Sequence, residues 1–340
     1  MGEENRSIQN LSLPAEVLAF FQEQWGINQL HPPQYEAMEP LFNENNILLA
    51  IPTASGKSLV AYIAILNQLL NINPGSRAVY IVPLKALASE KFEELKEIGN
   101  HLGLKIGLGI GDATSEAKNI DDSDILICTS EKLDSLMRTR SELMSNVSVV
   151  VADEFHLLHD ASRGPTLEIN LTRLRTLRPN AQLIALSATV GNCEILATWL
   201  EATLVQSDWR PVDLEYSTLH DRHLEPRKIQ SSSLDSAPQI LSPPRHLEGP
   251  LSHPAWIVVQ DTIEQGGQVL VFVGTRRSAQ SEAKKLSDRV KKRFAKEQPE
   301  RLIELEQVAE SLDGRNQTSM GELLAHCVRG GVAFHHAGLT

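Results

Sequence analysis

Cysteine is nearly absent from this 340-residue chain, and the three present, Cys128, Cys193 and Cys327, are scattered with no Cys-x-x-Cys spacing. An odd, dispersed set excludes a disulfide framework and a cysteine zinc site, which leaves buried single thiols. Long apolar runs are missing too: no stretch approaches the roughly 20 consecutive apolar residues that a bilayer crossing needs. The N-terminal Met1-Gly-Glu-Glu-Asn-Arg6 is polar where a secretory signal has its apolar segment. Together these absences lead us to expect a cytoplasmic protein with no membrane partner. Positive charge is also in deficit. The formal net charge of −11 excludes indiscriminate attraction of the whole surface to nucleic acid. A local basic track remains open, and Lys284, Lys285, Arg289, Lys291, Lys292, Arg293 and Lys296 form one on an expected helix. Such runs are more often a solvated face.

With 41% hydrophobic residues the chain can bury a sizeable core, and its length suggests two domains. Short apolar runs at 47–51, 79–82, 125–128, 147–151 and 183–186 alternate with helical patterns. That order predicts an α/β fold, a parallel sheet covered on both faces. In such sheets ligands sit outside the carboxyl ends of the strands, so functional residues are expected just after each run.

The first run leads into Ile51-Pro-Thr-Ala-Ser-Gly-Lys-Ser58, with the helical pattern Leu59, Val60, Ile63, Ala64, Leu66, Leu70 behind it. Strand, Gly-Lys-Ser turn and helix make a phosphate-binding loop, although Ile51 stands where the strict form has glycine. Backbone N–H groups of Pro52, Thr53, Ala54, Ser55 and Gly56 (proline excepted) and the helix N-terminus are expected to surround an anion. Lys57 supplies a point charge for the terminal phosphates and the Ser58 hydroxyl suits Mg²⁺. The expected ligand is a nucleoside triphosphate, ATP first.

The run 147–151 leads into Ala152-Asp-Glu-Phe-His156. Two adjacent carboxylates at the end of a buried strand are costly unless they face a cation. Beside a phosphate loop, Asp153 suits Mg²⁺ and Glu154 suits orienting and deprotonating an attacking water. An Asp-Glu pair alone is more often a helix cap.

Taken in order, Leu30-His-Pro-Pro-Gln34, the phosphate loop, Val82-Pro-Leu-Lys-Ala-Leu87, Cys128-Thr-Ser-Glu-Lys132, Asp153-Glu-Phe-His156, Leu186-Ser-Ala-Thr189, Val273-Gly-Thr-Arg-Arg277 and Phe334-His-His-Ala-Gly-Leu339 resemble the motifs of one family. The family is the superfamily 2 DExH-box helicases, in particular the Ski-type branch with the archaeal DNA-repair helicases and the helicase half of polymerase theta. The resemblance runs from about Leu30 to the end. It implies a P-loop NTPase with RecA-like domains, a 3′-to-5′ helicase that couples ATP hydrolysis to movement on single-stranded or forked DNA. It gives Gln34 the reading of adenine, for which its amide donors and acceptor are suited. It gives Pro83, Lys85, Thr129, Thr275 and His336 contacts to the nucleic-acid backbone, which set affinity rather than base sequence. His156 would couple the triphosphate site to Ser187 or Thr189. RNA remains an alternative to DNA, because backbone contacts do not reveal whether a 2′-OH is accepted. Trp25 is a core residue first and a base-stacking one second. His335 and His336 with Cys327 make a poor metal site, since neighbours on a strand point to opposite faces.

Residues 1–205 are expected as the ATP-binding RecA-like domain and 206–254 as a linker with a flexible insertion, marked by Ser231-Ser-Ser and Ser242-Pro-Pro. Residues 255–340 are expected to begin a second RecA-like domain, with strands at 269–273 and 332–334, and to be cut short. The family's late Gly-Arg-x-Gly-Arg motif has no counterpart. An arginine finger is worth a factor of roughly 10³–10⁵ in phosphoryl transfer, so two classes stay open. One is a helicase completed elsewhere or by a second polypeptide; the other is an ATP- and nucleic-acid-binding module without turnover.

Overall fold

The computed structural model describes residues 6–111, 117–118, 120–188, 191–230, 242–313 and 318–336. These fall into two compact units, one comprising the described residues up to Leu214 with Ile229 and Gln230, the other Glu215–Lys228 and the described residues after 241.

The first unit is built on a sheet of β1 (Asn46–Ala50), β2 (Arg77–Val82), β3 (Ile106–Gly109), β4 (Ala117–Lys118), β5 (Ile125–Thr129), β6 (Val147–Ala152), β7 (Gln182–Ser187) and β8 (Ala202–Gln206), in the order 4-3-5-2-6-7-1-8. Every pairing is parallel except that of the short edge strand β4. Alternation decides which face each side chain covers. Ile47, Leu49, Tyr80, Val82, Ile125, Ile127, Val149, Val151, Ile184 and Leu186 join the helices Ala15–Glu23, Lys57–Asn67 and Lys85–Leu102 in one core. Leu48, Ala50, Val79, Ile81, Leu126, Cys128, Val150, Ala152, Leu183 and Ala185 join Ser130–Thr139, Gly164–Leu177 and Cys193–Leu200 in the other. Each large apolar side chain so buried contributes about 1.5–3 kcal/mol. Trp25 belongs to the first core, packed on Phe20, Phe21 and Tyr62 with its indole N–H donating to Glu97 at 3.2 Å.

The second unit holds a ribbon of β9 (Leu214–His220), β10 (His223–Gln230) and β11 (Arg245–His246), so part of the stretch expected as linker is folded; 231–241 lie outside the described residues. Four helices follow, Pro254–Glu264, Arg276–Glu297, Pro299–Asp313 and Ser319–Val328, around a small core of Trp256, Val259, Leu286, Val290 and Phe294. Arg245 clamps Asp261 through two bonds of 2.7 Å. The basic run on Arg276–Glu297 is largely a solvated face: Arg293 pairs with Glu264 and Glu297, and Arg289 lies over the Trp256 ring.

The expected strands at 269–273 and 332–334 do not form; both segments are described without strand pairing. A strand exists by pairing its amides with a neighbour, and no described strand of this unit runs beside either segment. Leu270 and Phe272 stand 79% and 87% exposed as a result. Among the described residues no helix is long and apolar enough to cross a membrane.

Gly164 starts its helix against the preceding 3₁₀ turn, where a Cβ would lie 1.9 Å from the Leu158 carbonyl oxygen. Backbone cannot retreat as a flexible side chain can. Gly164→Ala is expected to destabilise the first unit by about 1–3 kcal/mol. Gly191→Ala, in open space, should leave the thermal midpoint unchanged; paired melting curves check both.

Candidate nucleotide and nucleic-acid site

Parallel register brings the carboxyl ends of five strands to one edge. Thr129 ends level with Val82, Ala152 with Ile81 and Ala185, and Ser187 with Ala50. Two further ladder bonds continue past the strands, Asp153 N–H to Ile81 O at 2.9 Å and Ile51 N–H to Ser187 O at 3.2 Å. The candidates of the first unit therefore share one rim of the sheet.

Between β1 and the helix Lys57–Asn67 the chain turns through two left-handed residues, Ala54 (φ +65°) and Gly56 (φ +74°). Gly56 has a second reason to lack a side chain: a Cβ would meet Gln34 Nε2 at 2.3 Å. Gln34 is buried against this loop. Its amide donates to Gly56 O at 2.8 Å and Ser55 O at 3.5 Å, and its oxygen accepts from His31 N–H at 2.7 Å. Both amide functions thus face the chain's own backbone, where the sequence reading has them facing adenine.

Lys57 opens the helix, buried, with Nζ 3.4 Å from Ile51 O. Burial pushes its ammonium pKa down, and the nearby charges of Glu154 and Asp153 oppose that. Asp153, directly after β6, has both oxygens engaged: Oδ1 accepts from Glu154 N–H at 2.8 Å and Oδ2 from the Tyr80 hydroxyl at 2.9 Å. Burial nevertheless holds its carboxyl above the usual carboxylate range. Glu154 adopts φ +49°, a left-handed conformation that costs a non-glycine residue about 1–3 kcal/mol. Such strain concentrates at functional sites and here turns the chain into the 3₁₀ segment Phe155–His159.

His156 Nδ1 lies 3.3 Å from Glu154 Oε2 and 3.5 Å from the Ala188 amide nitrogen. The histidine therefore reaches the backbone of the 186–189 motif rather than the Ser187 side chain, whose hydroxyl donates to Ala188 O at 2.8 Å. Thr189 lies outside the described residues.

Pro83 follows β2 half-buried and shares one cleft with Asp153, Glu154, Glu131 and Arg163. Lys85 is exposed at the first position of Lys85–Leu102. Thr129 is buried, and its hydroxyl caps Ser130–Thr139 by accepting from Lys132 N–H at 3.4 Å. In the second unit, Thr275 caps Arg276–Glu297 through Ser278 N–H at 3.0 Å. His336 Nε2 lies 2.9 Å from the Gln280 amide, and its ring stacks on Phe334. Both threonine hydroxyls expected on phosphates thus serve first as helix caps.

Sequence reading missed Trp209 and Arg210, which it placed in the linker. Ser55 Oγ donates to Trp209 O at 3.3 Å, Arg210 donates to Thr53 O at 3.4 Å, and the Trp209 ring lies 4.6 Å from that of His31. The available signal was position: they follow β8 at the same rim, but β8 had not been read as a strand.

Residues 31–196 match the DEAD/DEAH box helicase family. That match covers just under half of the chain. It is 41% identical over 337 residues to the ATP-dependent DNA helicase Hel308 of Methanocella arvoryzae, covering 98% of this chain and 43% of that protein. To the Hel308 of Thermococcus kodakarensis it is 44% identical over 317 residues, covering 93% of this chain and 26% of that protein. The chain thus spans less than half the length of these relatives. Among solved structures, the chain resembles the DUF1998 helicase MrfA bound to DNA, with a TM-score of 0.51 and 26% identity over 58% of this chain and 30% of that one.

Gln34 holds the loop 51–56 from inside. Gln34→Ala removes bonds to His31 and Gly56 and leaves a buried carbonyl with one partner fewer, so a loss of about 1–3 kcal/mol is expected in nucleotide-free unfolding curves.

Proposed function

We propose that this chain is the ATP-binding part of a DNA helicase, in which 1–205 form a RecA-like motor domain and 255–340 belong to a second one. The observation that carries the reading is the meeting of Lys57, Ser58, Asp153 and Glu154 at one sheet rim, two of them charged and shifted by burial in opposite directions. Triphosphate at the loop meets the N–H groups of 53–56 and the Lys57 ammonium. Among the described residues no three of His, Cys, Asp or Glu converge on a metal position. That suits Mg²⁺, which takes one or two protein groups, waters and nucleotide phosphates; Ser58 and Asp153 would hold it. Bound there, magnesium would supply charge neutralisation at the phosphates. Glu154 orients a water and takes its proton. Gln34, with the His31 and Trp209 rings beside it, lies where the base is expected, and contact with adenine requires its amide to leave Gly56 O.

Single-stranded or forked DNA is the proposed track, gripped at Pro83, Lys85 and Thr129 in the first unit and at Thr275 and His336 in the second. Support comes from the names of the relatives and of the DNA-bound neighbour. RNA is the other outcome of a binding test with matched single strands. Turnover measured with and without single-stranded DNA tests the motor itself. DNA-stimulated hydrolysis supports it; nucleotide binding with no turnover, with or without DNA, favours a binding module or a core completed by a second polypeptide.

Lys57→Ala removes a charge-assisted contact worth about 1.5–3 kcal/mol, so ATP affinity should fall about 10–100-fold. Glu154→Gln should bind ATP nearly as well as the wild type and hydrolyse none. Equal ATP affinity in the wild type and Lys57→Ala sinks the assignment of the loop.

A further inference from the structure

Two tyrosines meet beneath the metal side of the site. Tyr80 on β2 is fully buried, and its hydroxyl donates to Asp153 Oδ2 at 2.9 Å. Tyr62, one turn along the helix from Ser58, is 2% exposed and places its ring 6.2 Å from that of Tyr80 at a tilt of 43°. The Tyr62 hydroxyl donates in turn to the Glu94 carboxylate, which Lys91 holds at 3.0 Å. Glu94 and Lys91 belong to Lys85–Leu102, the helix that starts at Lys85.

Apolar packing does not explain this arrangement. Phenylalanine fills the same core volume with no hydroxyl to satisfy, whereas a buried phenol needs a partner. Here the partner of Tyr80 is Asp153, a residue placed on the metal side, and that of Tyr62 is Glu94. Each carboxylate oxygen has two lone pairs, so Asp153 Oδ2 can accept from Tyr80 and still serve a cation or its water. With Oδ1 fixed by the Glu154 amide, the carboxylate plane is set before any ligand arrives.

We propose that Tyr80 is a positioning residue for magnesium, holding Asp153 in its metal-binding orientation, and that Tyr62, packed on the Tyr80 ring, and Glu94 tie that arrangement to the helix bearing Lys85. This rests on the nucleotide site proposed above. Hydrogen-bond partners of metal ligands set ligand orientation, and their removal typically costs about 10–100-fold in metal affinity.

The test titrates Mg²⁺ against binding of a fluorescent ATP analogue to the wild type, Tyr80→Phe and Tyr62→Phe, with metal-free titrations alongside. Tyr80→Phe keeps the ring, so metal-free affinity should stay within about twofold while the Mg²⁺ midpoint rises about 10–100-fold. Tyr62→Phe should shift the midpoint less and weaken the mutual enhancement of nucleotide and single-stranded DNA binding. A Tyr80→Phe midpoint within twofold of the wild type, or an equal loss with and without metal, overturns the proposal and leaves the nucleotide site standing. A wild type that binds no nucleotide overturns the site and the proposal together.

Discussion

A buried lysine and a half-buried carboxylate stand at one rim of a parallel sheet, and the arrangement around them follows from that constraint. Burial disfavours the charged form of each, lowering the Lys57 pKa and raising that of Asp153. For Asp153 the folded chain binds the proton more tightly than the unfolded chain, so its cost is present at neutral pH and disappears as the pH falls through the raised pKa. For Lys57 the cost is present at neutral pH and disappears as the pH rises through the lowered one. The triphosphate and magnesium proposed for this site would relieve both at once. Until it arrives, two closely packed apolar layers support the strain, together with the left-handed turn at Glu154.

That support was legible in the sequence wherever a strand is covered on both faces. β1, β2, β5, β6 and β7 are rich in Val, Ile, Leu and Ala, because most of their residues land in one of the two cores. β3 was missed, since Ile106-Gly-Leu-Gly carries glycine at alternate positions, and β4 is only two residues long. β8 was missed because its residues are only half covered at the sheet edge. Trp209 and Arg210 were lost with it. The loop 51–58 and the Asp-Glu turn were visible because each couples a local motif to the end of an apolar run.

Side-chain partners were less visible. Nothing local to Gln34 says that its amide closes on Gly56, a contact made across the fold between residues 22 positions apart. Thr129 and Thr275 present the same sequence whether their hydroxyls cap a helix or meet a phosphate, and the backbone decides. In the second unit, 269–273 reads as a strand from composition alone, yet composition supplies only one member of a pair. Pairing is a property of neighbours, and no periodicity reports them.

The position of His156 has a consequence for how this site can differ between states. A single imidazole nitrogen, Nδ1, lies near both a carboxylate and an amide N–H. It can offer a proton to the first or a lone pair to the second, never both together. Contact with Glu154 and contact with Ala188 are therefore mutually exclusive choices, selected by the tautomer. Two forms of the protein that differ in this choice would superimpose atom for atom apart from hydrogen, and only a method that sees protons would tell them apart.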